Sequence, residues 1–304
     1  LTEALQRLGV KIAFEGVAHH APLVVHGGRL PGGKIGLDAS ASSQYLSALL
    51  LAGQRAEGAI EIEVPALASA PYVGLTVDMI ERFAGRVESS GGDRWISFPS
   101  ELGAAEVEIE ADFSAAAYPA AAAALTGGTV RIDAISERSR QGDRRFLDLL
   151  QGMGATVAWN ETGGTVAAGG ELRAIDADLA DIPDQVPTLA ALAPFARGTT
   201  RIRNVAHLRI KESDRLAAMT EELRRAGASV DERPDGLVIP GVWADAAPPD
   251  SAVLVDSHRD HRIAMAMALV GLRRPNLSVA DPLCVAKSYP AFWRDLARLL
   301  GEPA

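Results

Sequence analysis

Gly58-Ala-Ile-Glu-Ile, Gly128-Thr-Val-Arg-Ile and Gly198-Thr-Thr-Arg-Ile open three stretches of one design, and their glycines recur every 70 residues. Each begins like a strand. About 27 residues on, each reaches a helix that stops at a glycine and gives way to another strand. These endings read Met79-Ile-Glu-Arg-Phe-Ala-Gly-Arg-Val, Leu149-Leu-Gln-Gly-Met-Gly-Ala-Thr-Val and Leu223-Arg-Arg-Ala-Gly-Ala-Ser-Val. The glycine stands where a helix end needs a left-handed residue. The period is too long for a solenoid repeat and fits a small α/β subdomain.

The helices between these landmarks follow an amphipathic pattern. Within residues 214–228, Leu216, Met219 and Leu223 share one face, while Glu221, Glu222, Arg224 and Arg225 fall elsewhere. Alternating strands and helices predict a layered α/β fold. The opening, Leu1-Thr-Glu-Ala-Leu-Gln-Arg-Leu-Gly-Val-Lys-Ile-Ala, resembles the end of a unit: amphipathic helix, glycine stop, strand. With no initiator Met before it, the sequence reads as a fragment whose upstream part is absent, cut or carried elsewhere.

A chain of 304 residues accommodates two ordinary domains or one large one. Its 48% apolar and 23% charged content supports a core and excludes a disordered tail. A formal charge of −9 argues against a general nucleic-acid binder. One cysteine, Cys284, excludes an intrachain disulfide framework and a cysteine-rich zinc site. Apolar runs such as residues 263–272 are too short to span a bilayer. No signal-peptide pattern opens the sequence, which predicts a cytoplasmic protein without a membrane partner.

Four segments set polar residues ahead of apolar helical runs. Ser42 and Ser43 precede a run in which Leu46, Leu49 and Leu50 face a core. Free N–H groups and the helix dipole favour an anion there, although for the serine pair taken alone a plain cap is the simpler reading. Asp184 lies just before Pro187, which suits a first helical turn; its carboxylate is either a cap or a base at a cleft mouth. Lys211, Glu212 and Arg215 form either a surface ion pair or a grip on an acidic substrate with a proton donor beside it. In Asp256-Ser-His-Arg-Asp-His-Arg, Asp260 is a candidate cap with His261 and Arg262 in the first turn. Cations there oppose the macrodipole unless an anion binds, and the histidines lack a three-ligand metal spacing. Lys287 is either a further anion ligand or a solvated lysine. No GxxxxGK[ST] phosphate loop, Gly-x-Gly-x-x-Gly turn or Gly-x-Ser-x-Gly elbow occurs in a suitable context.

Ser-Ala-Ser-Ser-Gln-Tyr-Leu-Ser-Ala-Leu-Leu at 40–50, Arg-Gln-Gly-Asp at 140–143, Ile-Pro-Asp at 182–184, Arg-Ile-Lys-Glu-Ser-Asp-Arg at 209–215, Asp-His-Arg at 260–262 and Ala-Lys-Ser-Tyr-Pro at 286–290 together resemble the 5-enolpyruvylshikimate-3-phosphate synthase family. The resemblance implies an α/β fold of two globular domains built from repeated βαβαββ units, of the inside-out α/β barrel type. Residues 1–110 would be a partial upper domain, with the end of one repeat and one full repeat. Residues 111–304 would be the lower domain, with two full repeats and a partial third. It also implies transfer of the enolpyruvyl group of phosphoenolpyruvate to the 5-hydroxyl of shikimate 3-phosphate, on the shikimate pathway to aromatic amino acids. Cofactors, metals and nucleic acid play no part in that reading, and the complete protein is expected to be a monomer.

By the same resemblance, Ser42, Ser43, Gln44, Ser69, Tyr72, Asp184, His207 and Lys211 bind shikimate 3-phosphate. Gln44, Arg215, Arg262 and Lys287 hold phosphoenolpyruvate. Asp184 takes the 5-hydroxyl proton, and Glu212 donates one to the methylene carbon. Ala70 stands where the family often has lysine, and His207 where asparagine is common. The family's N-terminal lysine-serine-arginine segment, its Asn-x-Gly-Thr loop and a further arginine have no counterpart, so little or no turnover is expected of this chain alone. A related transferase that loads enolpyruvate onto UDP-N-acetylglucosamine, and a non-catalytic binding fragment, are the alternatives; the former relies on a cysteine in an upstream loop.

Overall fold

The computed structural model describes residues 1–91, 93–247 and 249–301. The chain divides into two compact units, Leu1–Ile109 and Glu110–Ala304.

In the first unit, α1 (Thr2–Arg7) leads into an antiparallel hairpin of β1 (Lys11–Phe14) and β2 (Leu23–His26). A complete repeat follows: β3 (Gly33–Ala39), α2 (Gln44–Gly53), β4 (Ile60–Leu67), α3 (Ala70–Arg82), β5 (Arg86–Ser89) and β6 (Arg94–Phe98). The sheet order is β3-β4-β6-β5, with β3 and β4 parallel and the remaining pairs antiparallel. Alternate residues of β3 and β4 point inward, where Ile35, Leu37, Ile60 and Ile62 meet Leu46, Leu49 and Leu50 of α2.

The second unit begins with α4 (Phe113–Thr126), β7 (Thr129–Asp133), α5 (Arg145–Gly152), β8 (Thr156–Asn160) and β9 (Gly163–Ala167). Next come β10 (Asp176–Asp178), α6 (Val186–Leu192), β11 (Thr199–Arg203), α7 (Arg215–Arg225), β12 (Asp231–Arg233) and β13 (Gly236–Pro240). The chain ends with β14 (Val253–Val255), α8 (His261–Gly271), β15 (Leu277–Val279) and α9 (Phe292–Leu299). The order β10-β11-β13-β12 reproduces the first unit's sheet, and again only the leading pair is parallel. A helix that is apolar all round has to be buried. α4, α6 and α8 are such helices; they pack on one another inside the unit while the sheets take the outside. Among the described residues no helix is long and apolar enough to cross a membrane.

The first set of elements in the second unit forms a three-stranded sheet, β7-β9-β8. The segment ahead of α4 runs beside the end of β7 through one backbone bond, Ala111 N–H to Ala134 C=O at 2.7 Å, and forms no ladder. The glycine stops hold at Gly154 (φ 110°) and Gly227 (φ 93°), but after α3 the left-handed residue is Ala84 (φ 61°). Gly85 is required for space instead, since a Cβ there would lie 2.5 Å from Ile80 Cγ2 and 2.6 Å from Gln54 Oε1. Finally, Glu222 does not lie on a solvated face of α7 but is fully buried, because its partners come from 34 and 36 residues further along.

Candidate active site

The candidate residues fall into two groups, one in each unit. In the first, Ala39 ends β3 and pairs with Leu67 at the end of parallel β4. Both strands therefore release their helices at the same sheet edge. Ser43 caps α2 and is buried, while Ser42 Oγ accepts from Gln44 N–H at 3.2 Å and Gln44 is exposed. Ser69 caps α3 from a left-handed conformation (φ 54°), and Tyr72 sits in its first turn. Ser47 and Thr76 join the two helices by a 2.8 Å hydroxyl bond. Neither helix has an acidic residue in its first turn, so two positive helix ends stand side by side. Ser42, Ser43, Gln44, Ser69 and Tyr72 all belong to this edge.

The second group is a network of charges at helix starts. Asp184 follows Pro183 in a tight turn ahead of α6. Arg215 opens α7 with its side chain only 2% exposed. A guanidinium presents five N–H donors in one plane. Arg215 uses that plane on three carboxylates: Nη1 donates to Asp184 Oδ1 (2.9 Å), Nη2 to Glu212 Oε2 (2.8 Å) and Nε to Asp260 Oδ2 (2.8 Å). Arg262 Nη2 donates to the other Asp184 oxygen at 2.7 Å, and Lys287 Nζ donates to the other oxygen of Glu212. Asp184, Glu212, Arg215, Arg262 and Lys287 are thereby joined in one cluster.

Charge sets the proton affinities here. Burial opposes ionisation of Asp184, but Arg262 and Arg215 outweigh it and hold the carboxyl below its ordinary range. Burial likewise opposes ionisation of Glu212, yet Lys287 and Arg215 bring it down to about 2. His207 is lowered by burial and by Lys211, whose charge also pulls on Asp184. Lys287→Ala is expected to raise the Glu212 titration well above 2, with Arg215 still keeping it below an unperturbed glutamate. Carboxyl-carbon NMR titration reads this directly, and an unmoved midpoint would show that the pair does not form in solution.

Sequence reasoning missed a member of the cluster. Asp260 was read as a cap, and it does accept from Arg262 N–H at 2.9 Å, but it is also fully buried against Arg215 and takes Ser213 Oγ–H at 3.1 Å. The capping signal showed one of its oxygens and hid the other. The Arg-Gln-Gly-Asp stretch serves mainly as scaffold. Asp143 accepts from Gln185 Nε2 beside Asp184 at 2.8 Å, and Gln141 bonds Phe113 N–H and Ala111 C=O at the start of α4. Among the described residues, Glu221, Glu222 and His258 are the one group placed closely enough to share a cation. A cation is already present there, because Arg225 pairs with Glu221 at 2.6 Å and lies 3.4 Å from Glu222.

Comparison with known proteins gives the chain a family. The pattern of the family described as EPSP synthase (3-phosphoshikimate 1-carboxyvinyltransferase) matches residues 1–296. A 3-phosphoshikimate 1-carboxyvinyltransferase of Syntrophobacter fumaroxidans is 44% identical over 98% of this chain and 70% of its own length. Its namesake from Methanoculleus marisnigri is 42% identical over 97% and 69%. A solved EPSP synthase from Acinetobacter baumannii superposes with a TM-score of 0.80 at 28% identity, over 98% of this chain and 69% of that one. The chain thus spans about 70% of the length of these relatives, and it belongs to the EPSP synthase (3-phosphoshikimate 1-carboxyvinyltransferase) family.

Proposed function

We propose that the protein transfers the enolpyruvyl group of phosphoenolpyruvate to the 5-hydroxyl of shikimate 3-phosphate and releases phosphate. Addition places the hydroxyl oxygen on C2 of phosphoenolpyruvate and a proton on its methylene carbon. Elimination then removes a proton from that carbon and expels phosphate. The observation that carries this reading is Arg215 bridging Asp184 and Glu212 while Arg262 and Lys287 grip their outer oxygens. One cluster thus holds two carboxylates for proton transfer and three cations for an anion.

In this scheme Arg215, Arg262 and Lys287 turn from their internal partners towards phosphoenolpyruvate, with Gln44 as a further ligand. Each cation that leaves raises the proton affinity of the carboxylate it held. Asp184 thereby becomes basic enough to take the hydroxyl proton. Glu212 becomes able to hold the proton it passes to carbon. Lys211 and His207, with Ser42, Ser43, Gln44, Ser69 and Tyr72, are assigned to shikimate 3-phosphate; the paired helix starts of α2 and α3 support a phosphate there. A cytoplasmic monomer with these two small anions as partners completes the reading.

The UDP-N-acetylglucosamine alternative calls for a reactive thiol. Burial pushes the Cys284 thiol up, away from the thiolate such a role needs. The test is phosphate release from phosphoenolpyruvate with each acceptor in turn. With the family's N-terminal segment supplied alongside this chain, release with shikimate 3-phosphate is expected; release only with UDP-N-acetylglucosamine would overturn the assignment.

A further inference from the structure

The turn that delivers Asp260 to Arg215 is held from behind. His258 and Arg259 are consecutive non-glycine residues in the left-handed region, at φ 51° and 54°. Side chains seldom adopt that conformation unless their surroundings impose it. Part of the constraint is internal to the turn: His258 N–H donates to Asp256 Oδ1 at 2.8 Å, Arg259 N–H to Ser257 Oγ at 3.2 Å, and Asp260 N–H to Ser257 C=O at 2.9 Å. The rest comes from α7. Glu222, fully buried, accepts from Asp256 N–H at 3.0 Å with one oxygen and from His258 Nε2–H at 3.0 Å with the other. A carboxylate only accepts, so Nε2 carries the proton.

Glu222 lies seven residues after Arg215, two helical turns along the same face of α7. α7 therefore grips one loop at both ends. Glu222 holds its entry at Asp256 and His258, and Arg215 holds its exit at Asp260. Arg225 Nε, 3.4 Å from Glu222, offsets part of the buried charge. The titratable groups facing the turn are Glu221, Glu222 and Arg225 of α7, Arg215 at its start, His261 and Arg262 at the start of α8, and Cys284 beside Ser257.

We propose that Glu222 is a positioning residue: it locks the left-handed 256–260 turn so that Asp260 meets Arg215 and Arg262 starts α8 in the anion-binding orientation. This rests on the functional reading above. Glu222 touches no substrate atom in that reading and acts only through the turn. Its loss lets residues 256–260 relax and misplaces the two arginines assigned to phosphoenolpyruvate, leaving Ser42, Ser43, Ser69 and Tyr72 on the shikimate 3-phosphate side in place.

The experiment combines steady-state kinetics, with the family's N-terminal segment supplied, and amide hydrogen exchange on Glu222→Ala, Glu222→Gln and His258→Asn. Misplacement of about an ångström at a reacting group reaches 10²-fold in rate, so Glu222→Ala is expected to lose about ten-fold or more in kcat/KM for phosphoenolpyruvate. The KM for shikimate 3-phosphate should hold within about two-fold, and exchange should quicken at 256–260. Glu222→Gln keeps an acceptor for Asp256 N–H and is expected to recover most of the loss. His258→Asn suits the left-handed region while dropping the ring contact, and covers the case in which Glu222→Ala fails to fold. It should raise KM for phosphoenolpyruvate alone, by about two- to five-fold. Equal damage to both substrates, no gain in the glutamine variant, or unchanged exchange at 256–260 would each overturn the proposal. Wild-type turnover tests the functional reading separately, and the exchange experiment stands even if that reading fails.

Discussion

In the complete enzyme, Asp184→Asn is expected to lower kcat by about 10²–10⁴-fold, the range that a positioned general base contributes. The KM for phosphoenolpyruvate should hold or fall. Asp184 occupies both Arg215 Nη1 and Arg262 Nη2, so it competes with any anion those arginines bind. An asparagine of the same shape keeps a carbonyl acceptor but removes the competing charge. Slow turnover with unweakened substrate binding therefore separates a base from a ligand. Unchanged kcat would refute the role as base, and a large rise in KM with normal kcat would make Asp184 a binding group alone.

The second large effect concerns folding. Arg215→Met is expected to destabilise the protein by about 3–5 kcal/mol, because it leaves Asp184, Glu212 and Asp260 facing one another without the guanidinium. Arg215→Lys should recover little, since a compact ammonium cannot reach three carboxylates in one plane. The midpoint of urea unfolding measures both. The pH dependence has a definite sign. Folding depresses Asp184 and Glu212, so their stabilisation is complete above the ordinary carboxylate range and disappears as pH falls, for Glu212 through about 2. The gap between wild type and Arg215→Met should accordingly narrow in acid. A gap that is constant with pH would mean that lost packing, not charge, sets the destabilisation.

Local patterns in the sequence identified strands and caps better than distant partners. The strands after Gly58, Gly128 and Gly198 were legible because a repeating alternation is a property of adjacent residues, and β4, β7 and β11 lie there. Gly154 and Gly227 were legible as helix stops for the same reason. Ala84 was not, because the left-handed turn falls one place before Gly85, and Gly85 is needed instead for the lack of room beside Ile80 and Gln54, a residue of another helix's end. Glu222 looked like a solvated position until residues from 34 and 36 places on came to meet it. Asp260 showed its capping oxygen in the sequence, whereas its bond to Arg215 crosses 45 residues. The charged motifs at 182–184, 209–215, 260–262 and 286–290 were visible as candidates. Nothing in their spacing said that one arginine would hold three acids.

That arginine also has a kinetic consequence. Its partners at 184 and 260 arrive from opposite directions along the chain, 31 and 45 residues away, so water can leave the guanidinium only after both neighbouring segments have docked. Drying of this spot should therefore coincide with the docking of α6 and α8, since Asp184 lies just ahead of α6 and Asp260 caps α8. Refolding is accordingly expected to slow as added salt screens the attraction that draws these two helix starts to the guanidinium.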